Sequence, residues 1–178
     1  RTSARTDRLR RPTMSTLIIC AHPRDGMALA DQHKLPQAIK DVIATHHGTS
    51  VIEFFYIEAL RKAGTAITPD IESVRYPGPK PRTKECGIIM LADAVEAATR
   101  TLSEPNPSRI QELVEDIVRK QLTDHQFDEC ALTLRELDLI RQSLIRVLVG
   151  IYHTRVRYPE DKAGVDVPVV TPMAGRRI

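Results

Sequence analysis

The sequence Ala44-Thr45-His46-His47-Gly48-Thr49 places two adjacent histidines at the predicted end of a helix. Neighbouring side chains on a helix point about 100° apart, so both imidazoles can face one ligand only where the helix ends. Gly48 supplies the turn at that point, and neutral imidazole suits zinc, iron or manganese. An ordinary helix C-terminus, where the helix dipole favours histidine, explains the pair equally well. The motif alone therefore leaves a metal site and a helix end as equal alternatives.

Two further side chains extend the candidate donor set. His22 stands beside Pro23 in an apolar stretch over residues 14–32, and this proline predicts a kink or break in the helix. Asp93 interrupts a strongly apolar helix, where a carboxylate is rarely buried unless it is paired or binds a metal. Its alternative is an ion pair with a nearby arginine such as Arg100. Three imidazoles and one carboxylate form a set suited to a divalent ion of Fe, Mn or Zn.

The apolar pattern predicts an all-α fold. The sequence lacks tryptophan and is poor in aromatic residues, so Leu, Ile, Val and Ala must fill the core, which suits packed helices. Ser108 is the predicted N-cap of the fifth helix, and Thr133 with Glu136 forms the predicted capping box of the sixth. Spacing and end signals predict helices over residues 14–32, 36–47, 50–62, 83–102, 108–122 and 133–151.

Glycine and proline divide the rest of the chain. The segment Gly64–Pro81 contains too many helix breakers for regular structure, and its basic core, residues 75–81, is a candidate wall of an anion site. Residues 1–12 are predicted to form a disordered tail and residues 160–178 an irregular tail. A helical domain over residues 13–159 is expected between them.

Charge and cysteine content exclude several function classes. The first eleven residues hold five arginines and one acid, so the rest of the chain carries 21 basic and 22 acidic residues. A nearly neutral domain does not predict binding to DNA or RNA polymers. Three widely spaced cysteines, without a Cys-x-x-Cys pair, indicate reduced thiols that fill the core. No apolar run approaches the ~18 residues of a membrane span, so the chain as given is expected to be soluble.

Several motifs of the sequence are familiar as a set. They resemble, in order over residues 15–159, the cytosolic HD domain of the seven-transmembrane HD-domain family, whose characterised members are bacterial cyclic di-AMP phosphodiesterases. The motifs are residues 21–26 (AHPRDG), 46–49 (HHGT), 76–80 (YPGPK), 90–98 (MLADAVEAA), 126–130 (QFDEC) and 150–153 (GIYH).

The resemblance implies an all-helical HD fold that holds two metal ions, usually iron or manganese, and hydrolyses cyclic di-AMP to the linear dinucleotide. Within it, His22, His46, His47 and Asp93 match four of the family's metal ligands. It also implies a place on the cytoplasmic side of the cell membrane, through a larger parent protein. Homo-oligomerisation is a further expectation. Charge and position make three basic residues candidates for binding the substrate phosphates, and no residue is assigned as a catalytic acid or base. The three are Arg24, Lys80 and Arg100.

One departure from the family pattern leaves three hypotheses for the function of the chain. The His-Asp doublet that names the family is expected upstream of His22, and no His-Asp pair occurs in the 178 residues. The site is therefore expected to be partial, and the bundle to lack its N-terminal helices, through truncation or degeneracy. The first hypothesis is a metal-dependent phosphodiesterase domain. The second is a module that senses cyclic dinucleotides without turnover, and the third is a structural helical domain.

Overall fold

The computed structural model describes residues 14–63 and 69–153. The two predicted tails and residues 64–68, at the start of the segment rich in helix breakers, lie outside these ranges. Regular structure in the described ranges is helical apart from an isolated antiparallel bridge between Val51 and Arg75. The elements are α1 (Met14–Gln32), α2 (Gln37–Thr45), α3 (Glu53–Ala63), a 3₁₀ turn (Ile71–Val74), α4 (Lys84–Thr99), α5 (Pro107–Thr123) and α6 (Leu134–His153). The all-α prediction is confirmed.

Helix α4 occupies the centre of the bundle. It packs against α2, α5 and α6, whereas α1 packs mainly against α2, and the 3₁₀ turn contacts α3. Met90, Leu91 and Val95 of α4 are at most 1% exposed, and they contribute to two apolar clusters that α5, α6 and the loop between them complete. Ile88 and Ile89, on the other side of the same helix, are 40% and 38% exposed. One face of α4 therefore anchors the core, which leaves Asp93 near its edge.

Side-chain caps explain where three helices begin. Thr83 accepts a hydrogen bond from the backbone N–H of Cys86 at the start of α4. Thr133 and Glu136 form the predicted reciprocal capping box of α6, with Thr133 N donating to the Glu136 carboxylate at 2.9 Å. The predicted cap Ser108 is wrong. Asn106 caps α5 instead, since Pro107, which fits the first helical position, starts the helix earlier.

Two other local predictions need correction. Pro23 does not break its helix, because α1 runs through it without interruption from Met14 to Gln32. The proline-rich segment is not wholly irregular in its described part, residues 69–81. It contains the 3₁₀ turn, which Asp70 caps by accepting from the backbone N–H of Glu72, and the bridge that joins Arg75 to Val51. Tertiary contacts therefore hold this segment against the end of α2.

Candidate metal centre

Three histidines from two helices meet at one point. His22 lies in the middle of α1, His46 is the C-cap of α2, and His47 follows directly. One ring nitrogen of each lies within 4.8 Å of one nitrogen of each of the others. The adjacent rings of His46 and His47 approach to 4.0 Å between centroids, so the helix end does let both face the same side. The structure thus brings together three of the predicted donors.

Backbone carbonyls fix the orientation of two of these rings. Nδ1 of His22 lies 2.6 Å from the carbonyl oxygen of Ile19, and Nδ1 of His46 lies 2.8 Å from that of Ile43. A carbonyl oxygen only accepts, so each Nδ1 carries the proton and donates it. Each Nε2 is then left with a lone pair. This is the arrangement by which metal-binding histidines are usually oriented from their second nitrogen.

The two Nε2 atoms face each other at 3.1 Å. With both Nδ1 atoms donating, two neutral rings would point lone pairs at each other, which is unfavourable unless a cation or a shared proton lies between them. Two nitrogens bound to one metal at ~2.1 Å stand about 3.0–3.4 Å apart. The donors present therefore fit one divalent ion.

Asp93 borders this cluster through His47. Its Oδ2 lies 3.4 Å from Nδ1 of His47, while the three histidine nitrogens form the tighter group. The alternative partner, Arg100, instead pairs with Glu96 one turn away on α4. The carboxylate is 42% exposed on its side chain, so it keeps room for a ligand. Asp93 therefore faces the predicted site.

Tyr76 forms the wall behind His47. The two rings stack at 4.2 Å between centroids with an interplanar angle of 20°. Burial, with smaller effects from Cys20 and Asp93, raises the pKa of Tyr76 to about 12, so it stays a phenol at neutral pH. Burial and the neighbouring His46 and His22 lower the pKa of His47 to about 4, which keeps its imidazole neutral. A neutral ring is the form that binds metal.

A buried polar network supports the turn that carries His46 and His47. Gln126, 0% exposed, accepts from the backbone N–H of Thr49 at 2.9 Å and donates to Asp124 at 2.9 Å. Asp124 binds Arg75 through two hydrogen bonds of 2.9 Å, and Arg75 donates to the carbonyl of Thr49 at 2.8 Å. Since burial strengthens such contacts, the network fixes the direction of this turn.

Gly48 is required where this network meets α4. Its φ is +52°, and a Cβ there would lie 2.4 Å from Oε1 of Gln126 and 2.8 Å from Cε of Met90. Glycine adopts this backbone conformation without the strain that a side chain adds, and it leaves the space open for the network. The glycine predicted to supply the turn therefore also admits the network.

A cleft of about 400 Å³ extends from the histidines between α3, α4 and α5. Its walls are mostly apolar, with Lys120 and Gln121 contributed by α5. Phe54 lines it although its residue surface is 71% exposed, an unusual position for a large aromatic side chain. Lys120 forms an ion pair with Glu53 across this region. The cleft offers apolar walls and one cation beside the candidate metal ligands.

The three predicted phosphate-binding residues do not gather at this cleft. Arg24 is two positions after His22, about 200° around the helix, and its exposed side chain contacts Asp25. Lys80 lines a separate cavity that it shares with Arg82 and the end of α2. Arg100 lines another cavity beside the α4–α5 turn.

Sequence patterns did not predict how the residues that support the site interact. Arg75 was assigned to the wall of an anion site, but its guanidinium is engaged by Asp124, Glu72 and the carbonyl of Thr49. Gln126 belongs to the motif at residues 126–130, but nothing in the sequence indicates that its amide is buried and hydrogen-bonded, beyond its place in a short connector. Phe54 carried no signal, because exposure is not visible in a sequence.

Comparison with known proteins agrees with this geometry. The HD-domain family pattern, described as "HD domain", matches residues 5–98, more than half of the chain. The chain belongs to the HD-domain family. The described part of this HD domain contains no helix of the length and apolarity needed to cross a membrane.

Its relatives are named for one activity. The HD domain is 48% identical over 149 residues to the cyclic-di-AMP phosphodiesterase PgpH of Bacillus subtilis. The match covers 84% of this chain and 20% of that protein. It is 42% identical over 153 residues to PgpH of Listeria monocytogenes, with 85% and 21% covered. The chain thus spans about a fifth of the length of these relatives.

A solved structure gives the same result for the fold. The crystal structure of the L. monocytogenes PgpH HD domain in complex with cyclic-di-AMP superposes with a TM-score of 0.73 at 40% identity. The match covers 82% of this chain and 66% of that one. The expected HD fold is confirmed.

Proposed function

We propose that this HD domain is part of a metal-dependent phosphodiesterase that hydrolyses cyclic di-AMP to the linear dinucleotide. The observation that carries the proposal is the convergence of Nε2 of His22 and Nε2 of His46 at 3.1 Å, beside His47. The names of the relatives and the cyclic-di-AMP complex of a neighbour support the substrate. His22, His46 and His47 would hold one divalent ion, with Asp93 completing the set.

The residues around the proposed metal site have different roles in the proposed hydrolysis. When bound, the divalent ion supplies an activated water and neutralises charge on the phosphoryl oxygens. In the proposed reaction the water oxygen would bond to phosphorus and give up one proton, one bond from phosphorus to a ribose oxygen would break, and that oxygen would take up one proton, so that no proton is gained or lost overall. His22 and His46 present their Nε2 atoms, Asp93 contributes negative charge, and the neutral Tyr76 excludes water behind His47.

The cleft beside the histidines is proposed to receive the rest of the dinucleotide. Exposed Phe54 offers a face on which a purine base can stack, and the apolar surface of α4 forms the opposite wall. Lys120 provides a cation for a phosphate if it exchanges its partner Glu53. Lys120→Ala should therefore weaken cyclic di-AMP binding more than Arg24→Ala does. The reverse order, measured by calorimetry, would favour the phosphate role predicted for Arg24.

The metal is proposed to be iron or manganese, in line with the family resemblance and with a donor set of imidazole and carboxylate. Elemental analysis of the purified chain tests this. We expect near-stoichiometric Fe or Mn in the parent, its loss in a His46→Ala, His47→Ala variant, and its retention in His33→Ala, which removes an exposed histidine just beyond α1. Absence of metal from the parent under anaerobic purification would contradict the proposal.

Turnover is tested in a chimera. This chain replaces the matched part of the L. monocytogenes PgpH HD domain, and formation of the linear dinucleotide is followed by chromatography with Mn²⁺. We expect product from the chimera and none after His46→Ala. Metal-loaded chimera without product would overturn the proposed reaction.

A second candidate function is a sensor that binds cyclic dinucleotides without hydrolysis. The observation that favours it is the size of the donor set, since the three clustered histidines and Asp93 suit one ion whereas the family resemblance implies two. Tight binding of cyclic di-AMP to the chain, with no product after long incubation of either chain or chimera, would support this candidate against the first.

We also propose that the domain lies at the cytoplasmic face of a membrane, within a larger integral membrane protein, because of the resemblance to the seven-transmembrane family.

Self-association is proposed because the first half of α1 carries three exposed apolar residues. Met14, Leu17 and Ile18 are 72%, 51% and 65% exposed. Light scattering of the purified chain tests it, and a monomer at all concentrations would contradict it.

A further inference from the structure

Pro23 occupies a position in α1 that normally costs stability. It lies in the interior of a 19-residue helix and is buried. A proline there has no N–H to donate, and its ring crowds the carbonyl four residues earlier. The helix nevertheless continues for nine residues beyond it. The question is therefore which group hydrogen-bonds to the carbonyl that the proline leaves without its helical donor.

The carbonyl that loses its helical partner is that of Ile19, four residues before Pro23. That oxygen lies 2.6 Å from Nδ1 of His22. A non-proline residue at position 23 would offer its own N–H to the same oxygen. Proline removes this competitor, so the imidazole becomes the donor to Ile19.

The second oriented histidine repeats the arrangement by a different route. Nδ1 of His46 donates to the carbonyl of Ile43, also three residues earlier. There α2 ends at Thr45, and carbonyls in the last turn of a helix lack intrahelical donors. A helix end frees the carbonyl for His46, whereas within a continuous helix proline does the same for His22. The outcome is common to both: Nδ1 is occupied and Nε2 faces the shared point.

We propose that Pro23 is a positioning residue, which orients His22 for metal binding by leaving the Ile19 carbonyl to its Nδ1–H. The proposal rests on the metal site of the proposed function and not on the identity of the substrate. Pro23 contributes no ligand atom. It decides which nitrogen of His22 is protonated and where the other nitrogen points.

Substitution Pro23→Ala separates this role from a merely structural one. Alanine restores an N–H that competes for the Ile19 carbonyl, so we expect the affinity for Mn²⁺ to fall about 10-fold, as it does when other partners that orient a metal-binding histidine are removed. Competition with a fluorescent chelator measures it. The thermal midpoint of the metal-free chain should stay equal or rise, because alanine is favoured in helix interiors. A purely structural proline would move both quantities in the same direction.

A double-mutant cycle identifies the path of the effect. In a His22→Ala background, Pro23→Ala should leave the remaining Mn²⁺ affinity unchanged within about twofold, since the ring on which Pro23 acts is gone. An equal loss of affinity in both backgrounds would overturn the proposal. Unchanged affinity in the single Pro23→Ala variant would overturn it as well.

Nitrogen NMR of His22 gives a readout that needs neither activity nor metal. We expect the Nδ1-protonated tautomer in the parent chain and a mixture of tautomers in Pro23→Ala. The Nε2-protonated form in the parent would refute the proposal even if that variant failed to fold. Absence of cyclic di-AMP hydrolysis with these results intact would count against the proposed reaction only.

Discussion

The two histidine-bearing regions of the site are held in opposite ways. The turn with His46 and His47 is tied to α4 and to the α5–α6 loop by Gly48, Gln126, Asp124 and Arg75. His22 lies on a helix that packs mainly against α2, and its ring is exposed and held by a carbonyl of its own helix. Changes near the turn should therefore affect folding and metal binding together. Changes at His22 should affect metal binding alone.

Gly48→Ala should produce the largest effect. The new Cβ meets Gln126 and Met90, and the backbone has a φ of +52°, so we expect a loss of about 3–5 kcal/mol of unfolding free energy or failure to fold. Urea denaturation measures it. Gly150→Ala in α6, where an added Cβ meets nothing within 4 Å, is the control and should stabilise by up to about 1 kcal/mol. Similar losses in both variants would mean that the turn has no special constraint.

Asp124→Asn should come next. This substitution weakens the paired hydrogen bonds with Arg75. Both side chains are largely buried, at 21% exposed for Arg75 and 22% for Asp124, so we expect the free energy of unfolding to fall by about 2 kcal/mol. Glu72→Gln removes the exposed partner of the same arginine and should cost less than about 0.5 kcal/mol. If the two variants lose equal stability in urea, the network is no stronger than a surface ion pair. Mn²⁺ affinity should fall with Asp124→Asn only.

The pH dependence of this pair provides a second test. Burial alone would raise the pKa of Asp124, but hydrogen bonds from Arg75 and Gln126 hold it below its ordinary value of 3.8. A carboxyl group whose pKa is lower in the folded than in the unfolded state stabilises the fold at pH values above the unfolded pKa. This stabilisation is lost as pH falls through the folded pKa. The difference in unfolding free energy between the parent and Asp124→Asn should thus be full at pH 6, begin to shrink near the ordinary pKa of 3.8, and close as pH falls through the lower pKa of the folded state. A constant gap would exclude the ion pair as its cause.

The sequence predicted some of these features better than others. Apolar spacing predicts α1 and α4, and a capping box predicts the start of α6, because each of these signals lies within one element. The three histidines were found because each stands in a recognisable motif. The Arg75–Asp124–Gln126 network was missed, because Asp124 is 49 residues from Arg75 along the chain and Gln126 is 77 residues from Thr49. From the sequence, Pro23 predicts a kink or a break, because only three-dimensional contacts show that His22 uses the carbonyl that the proline frees.

His22→Ala should have the smallest effect on folding and a large one on metal binding. The ring is exposed and its hydrogen bond to Ile19 is local, so the metal-free unfolding free energy should change by less than about 0.5 kcal/mol. Removal of one of three donors should lower Mn²⁺ affinity by more than about 100-fold, beyond the usual effect of a supporting residue. His47→Ala is the matched variant. Because that ring is 23% exposed and stacks on Tyr76, its loss should reduce both metal-free stability and affinity. Equal destabilisation by the two variants in urea, without metal, would show that α1 and the α2 turn are held with similar strength.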